Sequence, residues 1–108
     1  ELEKVLNYKS IDNFELVKGD ICKTAINYLK KYPELKIALL HIDVDVYNPT
    51  KTILECFYDK VVPGGIIAFD DYGIIDGETK AVDEFFSDRD IVFKKSKLAH
   101  TPTYLIKE

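Results

Sequence analysis

Leu39-Leu40-His41-Ile42-Asp43-Val44-Asp45 and Ile66-Ile67-Ala68-Phe69-Asp70-Asp71 are two apolar runs that each end in carboxylates. Ionised groups beside an apolar core cost several kcal/mol unless something compensates them, so acids placed where strands leave a sheet mark a site. In open α/β sheets, ligands bind at the carboxyl ends of the strands. Residues 37–46 are apolar almost throughout except for His41, Asp43 and Asp45, which predicts a central parallel strand covered on both faces.

Working outward, Leu2, Val5 and Leu6 form a short helical stripe, and Phe14-Glu15-Leu16-Val17 alternates like a strand. Asp20 is placed to cap a helix whose Ala25, Ile26 and Leu29 share a face, and Pro33 ends it. After the first acidic run, Asn48-Pro49 reads as N-cap and first helical residue, with Ile53, Leu54, Cys56 and Phe57 as the buried face. Val62-Pro63-Gly64-Gly65 breaks that helix before the second strand. Gly73 and Gly77 mark a flexible loop able to close over a ligand, and Asp76 is the expected cap of a helix that turns Ala81, Val82, Phe85 and Phe86 inward. Ile91-Val92-Phe93 and Tyr104-Leu105-Ile106 are two closing strands expected to pair antiparallel. The order α-β-α-β-α-β-α-β-β predicts an α/β fold: a mostly parallel sheet with helices on both faces and an antiparallel terminal strand.

A length of 108 residues allows a single domain, 1–108, and excludes a second. The 46% apolar and 31% charged composition is that of a soluble globular chain. Its 15 basic and 19 acidic residues are interspersed, so no basic stripe offers itself to nucleic acid or anionic lipid. No apolar run approaches the roughly 18 residues of a membrane span, and Glu1-Leu2-Glu3-Lys4 is no signal peptide, so a cytoplasmic setting is the expectation. Cys22 and Cys56, without a Cys-x-x-Cys pair, fit two reduced thiols used as core filler.

Side chains at i and i+2 of a strand share a face, so Asp43 and Asp45 point the same way. Asp70 and Asp71 reach one ligand only if the chain is already turning there, as Tyr72-Gly73 permits. Two carboxylates about 4 Å apart repel by roughly 4 kcal/mol at an effective dielectric near 20, which a divalent cation reverses and a shared proton relieves. An all-oxygen set such as Asp43, Asp70 and Asp71 suits magnesium or calcium rather than zinc. One strand-end Asp alone is ordinarily a cap or a solvated loop residue; four acids at two strand ends are harder to dismiss. His41 lies on the Asp43 face but deeper, as a hydrogen-bonded core histidine would, and His100 falls in a terminal surface turn. Periodicity names no reaction.

Leu40-His41-Ile42-Asp43-Val44-Asp45-Val46-Tyr47-Asn48-Pro49-Thr50, a helix, Val62-Pro63-Gly64-Gly65, Phe69-Asp70-Asp71-Tyr72 and Ala81-Val82-Asp83-Glu84-Phe85-Phe86, in that order, resemble the macrocin O-methyltransferase family. The resemblance implies a Rossmann-like class I S-adenosylmethionine-dependent methyltransferase that uses a divalent metal, usually magnesium, for transfer to a hydroxyl of a small acceptor, glycosylated or not. Carried over residue by residue, it makes Asp43, Asp70 and Asp71 the metal ligands. Asp43 is also a candidate proton acceptor and cofactor contact, and Asp45 stands nearby without being shown to touch the ion. Gly19-Asp20-Ile21 sits where such enzymes bring a strand end against the adenine ring, so these three are candidate cofactor contacts, with Asp20 as a simple N-cap the alternative. Tyr47 and Tyr72 flank the acidic ends and are candidates for lining the acceptor pocket, against a role as packing residues with a wet hydroxyl.

The chain departs from the family in lacking the Gly-rich loop after the first strand and the acidic residue after the second that binds the ribose. It therefore resembles the carboxyl-terminal half of the enzyme without the first two strands, with an incomplete cofactor pocket, and the isolated chain is expected to be inactive. The Phe14 strand must then pair with the central strand, leave an edge open, or recruit another chain, which makes a homo-oligomer one expectation. Two other readings remain. His41-Ile42-Asp43-Val44-Asp45-Val46 and Ala68-Phe69-Asp70-Asp71 also resemble haloacid dehalogenase-type phosphatases, although the interval between them leaves too little room for that family's Thr/Ser strand end and Lys. The third reading is a non-catalytic metal- or partner-binding remnant of the methyltransferase fold.

Overall fold

A computed structural model describes residues 1–97 and 102–108; His100 lies outside the described residues. The chain forms helix α1 (Leu2–Tyr8), helix α2 (Ile21–Lys31), strand β1 (Ile37–Ile42), helix α3 (Tyr47–Phe57), strand β2 (Val61–Phe69), helix α4 (Asp76–Phe85), and strands β3 (Lys94–Lys95) and β4 (Thr103–Ile106). The four strands make one mixed sheet in the order β1-β2-β4-β3. β1 pairs with β2 in parallel, while β4 is antiparallel to both β2 and β3. Flanking helices and an antiparallel closing pair are as the sequence order implies.

Which face of the sheet is buried follows from the pleat. Leu40, Ile67 and Leu105 stand side by side across three strands, as do Ile42, Phe69 and Thr103. Ile42, Ile67, Phe69 and Leu105 pack with Ile53 and Leu54 of α3 and Val82 of α4 into one core. Aromatic rings extend it: Phe86 meets Phe69 and Phe93 edge-on, and Tyr72 stacks on Phe93 at 5.1 Å. On the other face, Leu39, Ile66 and Ile106 are direct neighbours across the strands and are 61%, 37% and 44% exposed. α3 and α4 therefore cover one face of the sheet, and this apolar row on the other is open.

Several local expectations are overturned, each for a physical reason. No strand forms at residues 14–17; a four-residue alternating segment has no ladder without a partner, and Leu16 and Val17 stay exposed. β1 is an edge strand rather than a central one, because among the described residues nothing pairs beyond it. It also stops at Ile42, because the chain turns sharply at Asp45, whose φ is +62°. α3 starts at Tyr47 with Val46 as N-cap, so Pro49 is its third residue, still in the first turn where a missing N–H leaves nothing unpaired. The 62–65 segment lies inside β2, where the Gly64 N–H donates to the Lys107 carbonyl (2.7 Å) and the Lys107 N–H to that of Gly65 (2.9 Å). Ile75, not Asp76, is the N-cap of α4. β3 is displaced to Lys94–Lys95 because Ile91 and Phe93 turn into the core.

The Asp20 cap forms as expected, its Oδ1 accepting the Cys22 N–H at 3.0 Å. Cys22 and Cys56 are free, half-buried thiols, and burial pushes the Cys56 thiol above its ordinary value. No helix among the described residues is long and apolar enough to cross a membrane.

Candidate functional site

The acids meet where β1 and β2 end side by side, because Ile42 pairs with Phe69 and the Asp70 N–H donates to the Ile42 carbonyl at 3.0 Å. Asp43 and Asp70 are thereby the next residues of two adjacent parallel strands. One carboxylate oxygen from each of Asp43, Asp70 and Asp71 lies within 4.8 Å of the others. Octahedral oxygen ligands at 2.0–2.1 Å from magnesium stand about 3–4 Å apart, so the three carboxylates fit such an ion with small side-chain adjustments. Asp43 is exposed and Asp70 and Asp71 half-buried, so the cluster is open to solvent on one side.

Asp45 joins the cluster through its backbone. The Val46 N–H donates to the Val44 carbonyl at 2.7 Å, closing a three-residue turn around the positive φ of Asp45. Such a turn is rare and strained for a residue with a Cβ, at a cost of roughly 1–3 kcal/mol, and Asp is among the side chains that tolerate it. It aims the Asp45 carboxyl at Asp71. A hydrogen bond between these two carboxyls, with burial and the Asp45, Asp70 and Asp43 charges, raises Asp71 to about 6. Protonation of Asp71 below that value relieves the repulsion that a cation would otherwise reverse.

His41 is not a core histidine. Its side chain is exposed on the open face of the sheet, and its Nε2 lies 3.3 Å from Asp70 Oδ1. The Nε2–H tautomer donates to that oxygen and orients the Asp70 carboxylate. The i, i+2 relation to Asp43 placed His41 on the right face; only the burial of that face differed.

The segment after β2 is fastened to α4 rather than free to close. The Asp71 N–H donates to Glu78 Oε2 (2.8 Å), the Tyr72 hydroxyl to Asp83 Oδ1 (2.6 Å), and the Gly73 N–H to Thr79 Oγ1 (2.8 Å). From the other strand end, the Tyr47 hydroxyl donates to Glu84 Oε2. Both tyrosine hydroxyls are held by carboxylates of α4, which raises them above their ordinary range, Tyr72 to about 12. Gly19, Asp20 and Ile21 lead into α2, where Asp20 caps the helix and Ile21 packs against the core.

Two further residues of the site escape the sequence reading. Glu78 is fully buried, and burial, followed by the charges of Asp71, Asp45 and Asp43, raises it to about 7 against the lowering effect of the Asp71 N–H. Gly77 brings α4 against the strained turn: a Cβ there would lie 2.9 Å from the Tyr47 N and 3.2 Å from the Asp45 carbonyl oxygen.

Residues 9–107 match the macrocin-O-methyltransferase (TylF) family. The chain belongs to the macrocin O-methyltransferase family. It superposes on the apo structure of CalS11, a TDP-rhamnose 3′-O-methyltransferase of calicheamicin biosynthesis, with a TM-score of 0.86 at 30% identity over 97% of this chain and 49% of that one. The O-methyltransferase NovP matches with a TM-score of 0.74 at 27% identity over 99% of this chain and 44% of that one. The chain thus spans about half the length of these structures. A search of curated proteins finds no match. The family match and the methyltransferase fold displace the phosphatase reading.

Proposed function

We propose that this chain carries the metal and acceptor side of an S-adenosylmethionine-dependent, magnesium-assisted O-methyltransferase acting on a hydroxyl of a small, glycosylated molecule. The observation that supports it most is the convergence of Asp43, Asp70 and Asp71 within 4.8 Å at the paired ends of two parallel strands. The TDP-rhamnose acceptor of CalS11 supports a sugar hydroxyl as the acceptor class. A divalent cation held by these carboxylates would supply the charge that lowers the pKa of an acceptor hydroxyl. Asp43, the exposed member of the set, takes the hydroxyl proton. S-adenosylmethionine, when bound, would supply the methyl group: an O–C bond would form as the S–C bond broke, leaving a neutral thioether.

His41 and Glu78 orient Asp70 and Asp71, while Tyr47 and Tyr72 brace the two strand ends against α4 and border the acceptor space. Gly19, Asp20 and Ile21 contribute to the cofactor side. Without a Gly-rich phosphate loop and a ribose-binding acid, the 108-residue chain is inactive alone.

The test is a manganese titration of the chain read by water-proton relaxation, with Asp70→Asn beside it. Saturable enhancement that is lost in the variant supports the site. No enhancement in the unaltered chain removes metal assistance from the proposal, and methylation of a sugar or catechol hydroxyl by the isolated chain would overturn its inactivity.

A further inference from the structure

Glu78 is the one charged side chain among the described residues that is fully buried. Burying a carboxyl that lacks partners costs about 1–3 kcal/mol or more, so a fold that keeps one there obtains something in return. Its Oε1 has no hydrogen-bond partner among the described residues, while its Oε2 accepts the Asp71 N–H at 2.8 Å.

The ordinary duty of a Glu at the third position of a helix does not account for this. Such a residue reaches back to the N–H of its own N-cap. Here the N-cap is Ile75, and its N–H is already taken by the Asp71 carbonyl at 3.0 Å. The Ile74 N–H donates to the same carbonyl, also at 3.0 Å. Glu78 passes over its own cap and takes the N–H on the other side of Asp71. The peptide groups flanking Asp71 are therefore fixed by α4 and the turn leading into it, one through its donor and one through its acceptor. A residue so held cannot rotate about its backbone without breaking these bonds, and the direction of its side chain is set with it.

We infer that Glu78 is a positioning residue, which fixes the backbone of Asp71 and so aims that carboxylate at Asp43 and Asp70. The inference rests on the proposed metal site and deepens it by naming the group that presets one of its three ligands. Groups that orient a metal ligand in this way are typically worth 10–100-fold in metal affinity. Glu78 acts as an acceptor, so an uncharged acceptor of the same shape replaces it.

Two variants and two readouts test this. Glu78→Gln keeps a carbonyl oxygen for the Asp71 N–H, and Glu78→Ala does not. In the metal-free chain, hydrogen exchange of the Asp71 amide accelerates at least tenfold in Glu78→Ala and stays near the unaltered chain's rate in Glu78→Gln. Manganese affinity, read by water-proton relaxation, falls about tenfold in Glu78→Ala and stays within about threefold in Glu78→Gln. Circular dichroism confirms that each variant is folded under the conditions used. An Asp71 amide that exchanges alike in all three chains overturns the inference, as does equal manganese affinity in Glu78→Ala and the unaltered chain. If Glu78→Gln is as damaged as Glu78→Ala in both readouts, the charge rather than the clamp matters, and the inference fails. If the unaltered chain binds no manganese, the metal reading fails, and amide exchange alone decides the clamp.

Discussion

Replacing Gly77 by Ala is the sharpest single test of how α4 shapes the acid site. The added Cβ would lie 2.9 Å from the Tyr47 N, 3.1 Å from the Val46 Cα and 3.2 Å from the Asp45 carbonyl oxygen. All three are backbone atoms of the strained turn and the start of α3, so no flexible side chain can yield. Comfortable contacts begin near 3.5 Å, so one of the two segments must move by roughly 0.5 Å. Overpacking of this kind costs about 1–3 kcal/mol, and Ala in place of Gly in a helix returns at most about 1 kcal/mol. The expected net loss of about 1–2 kcal/mol lowers the melting temperature by roughly 5–15 °C for a domain of this size. The moving segment carries Asp45 and follows directly on Asp43, so manganese affinity falls as well, by about tenfold. Gly64→Ala is the control. Its φ of +85° with nothing within 4 Å gives a strain penalty of about 1–2 kcal/mol away from the acids. Thermal unfolding and manganese relaxation titration on both variants should show two destabilised chains, of which only Gly77→Ala binds metal poorly. A Gly77→Ala chain with unaltered stability and affinity would refute the argument.

Glu78 is raised from 4.5 to about 7, so the folded chain holds a proton that the unfolded chain has released. Stability therefore falls as pH rises across that window, and urea unfolding at pH 5 and 7.5 should show Glu78→Gln gaining on the unaltered chain at the higher pH. Tyr72→Phe removes the 2.6 Å hydrogen bond to Asp83 but keeps the stack on Phe93, and should cost about 1 kcal/mol. Tyr72→Ala, which loses the ring as well, should cost about 2 kcal/mol more in the same melts. Leu39→Lys, at a side chain 61% exposed on the open sheet face, should change stability by no more than about 0.5 kcal/mol. A larger loss would mean that this face is covered.

The acids were legible because their positions follow from local rules. A strand pairs in register with its neighbour, and residues just past its last hydrogen bond lie at the sheet's carboxyl edge; Asp43 and Asp70 needed nothing more, and Asp71 only the turn that Tyr72-Gly73 permits. The Asp20 cap and the inward stripe of α4 were equally local. What failed depends on partners distant in sequence. An alternating segment at 14–17 cannot reveal that no strand edge accepts it, and an apolar β1 cannot reveal that helices cover only one of its faces. Glu78 could have been found: three and four residues before Ala81 and Val82, it falls on the same buried stripe, and a charge at that spacing is itself the signal. The strained turn at Asp45 had no such mark, because Val-Asp-Val is not a turn sequence; Gly77, from the other side of the contact, is what permits it.

The strands supply the acids, but α4 determines how they stand. Glu78, Thr79 and Asp83 hold the three residues that follow Asp70, Glu84 holds Tyr47 just after Asp45, and Gly77 lets the helix touch the turn between them. Five positions within two turns of one helix thus reach both strand ends, adding to the β1–β2 pairing and the His41–Asp70 contact that already join them. The proximity of Asp45 and Asp71 costs backbone strain at one and a raised pKa at the other. Neither would persist on a mobile loop, since the chain would relax by turning the two carboxyls apart. Their survival in the folded chain is accounted for by the rigidity of the helix beneath them, and a cation entering the cluster meets ligands already held against their own repulsion.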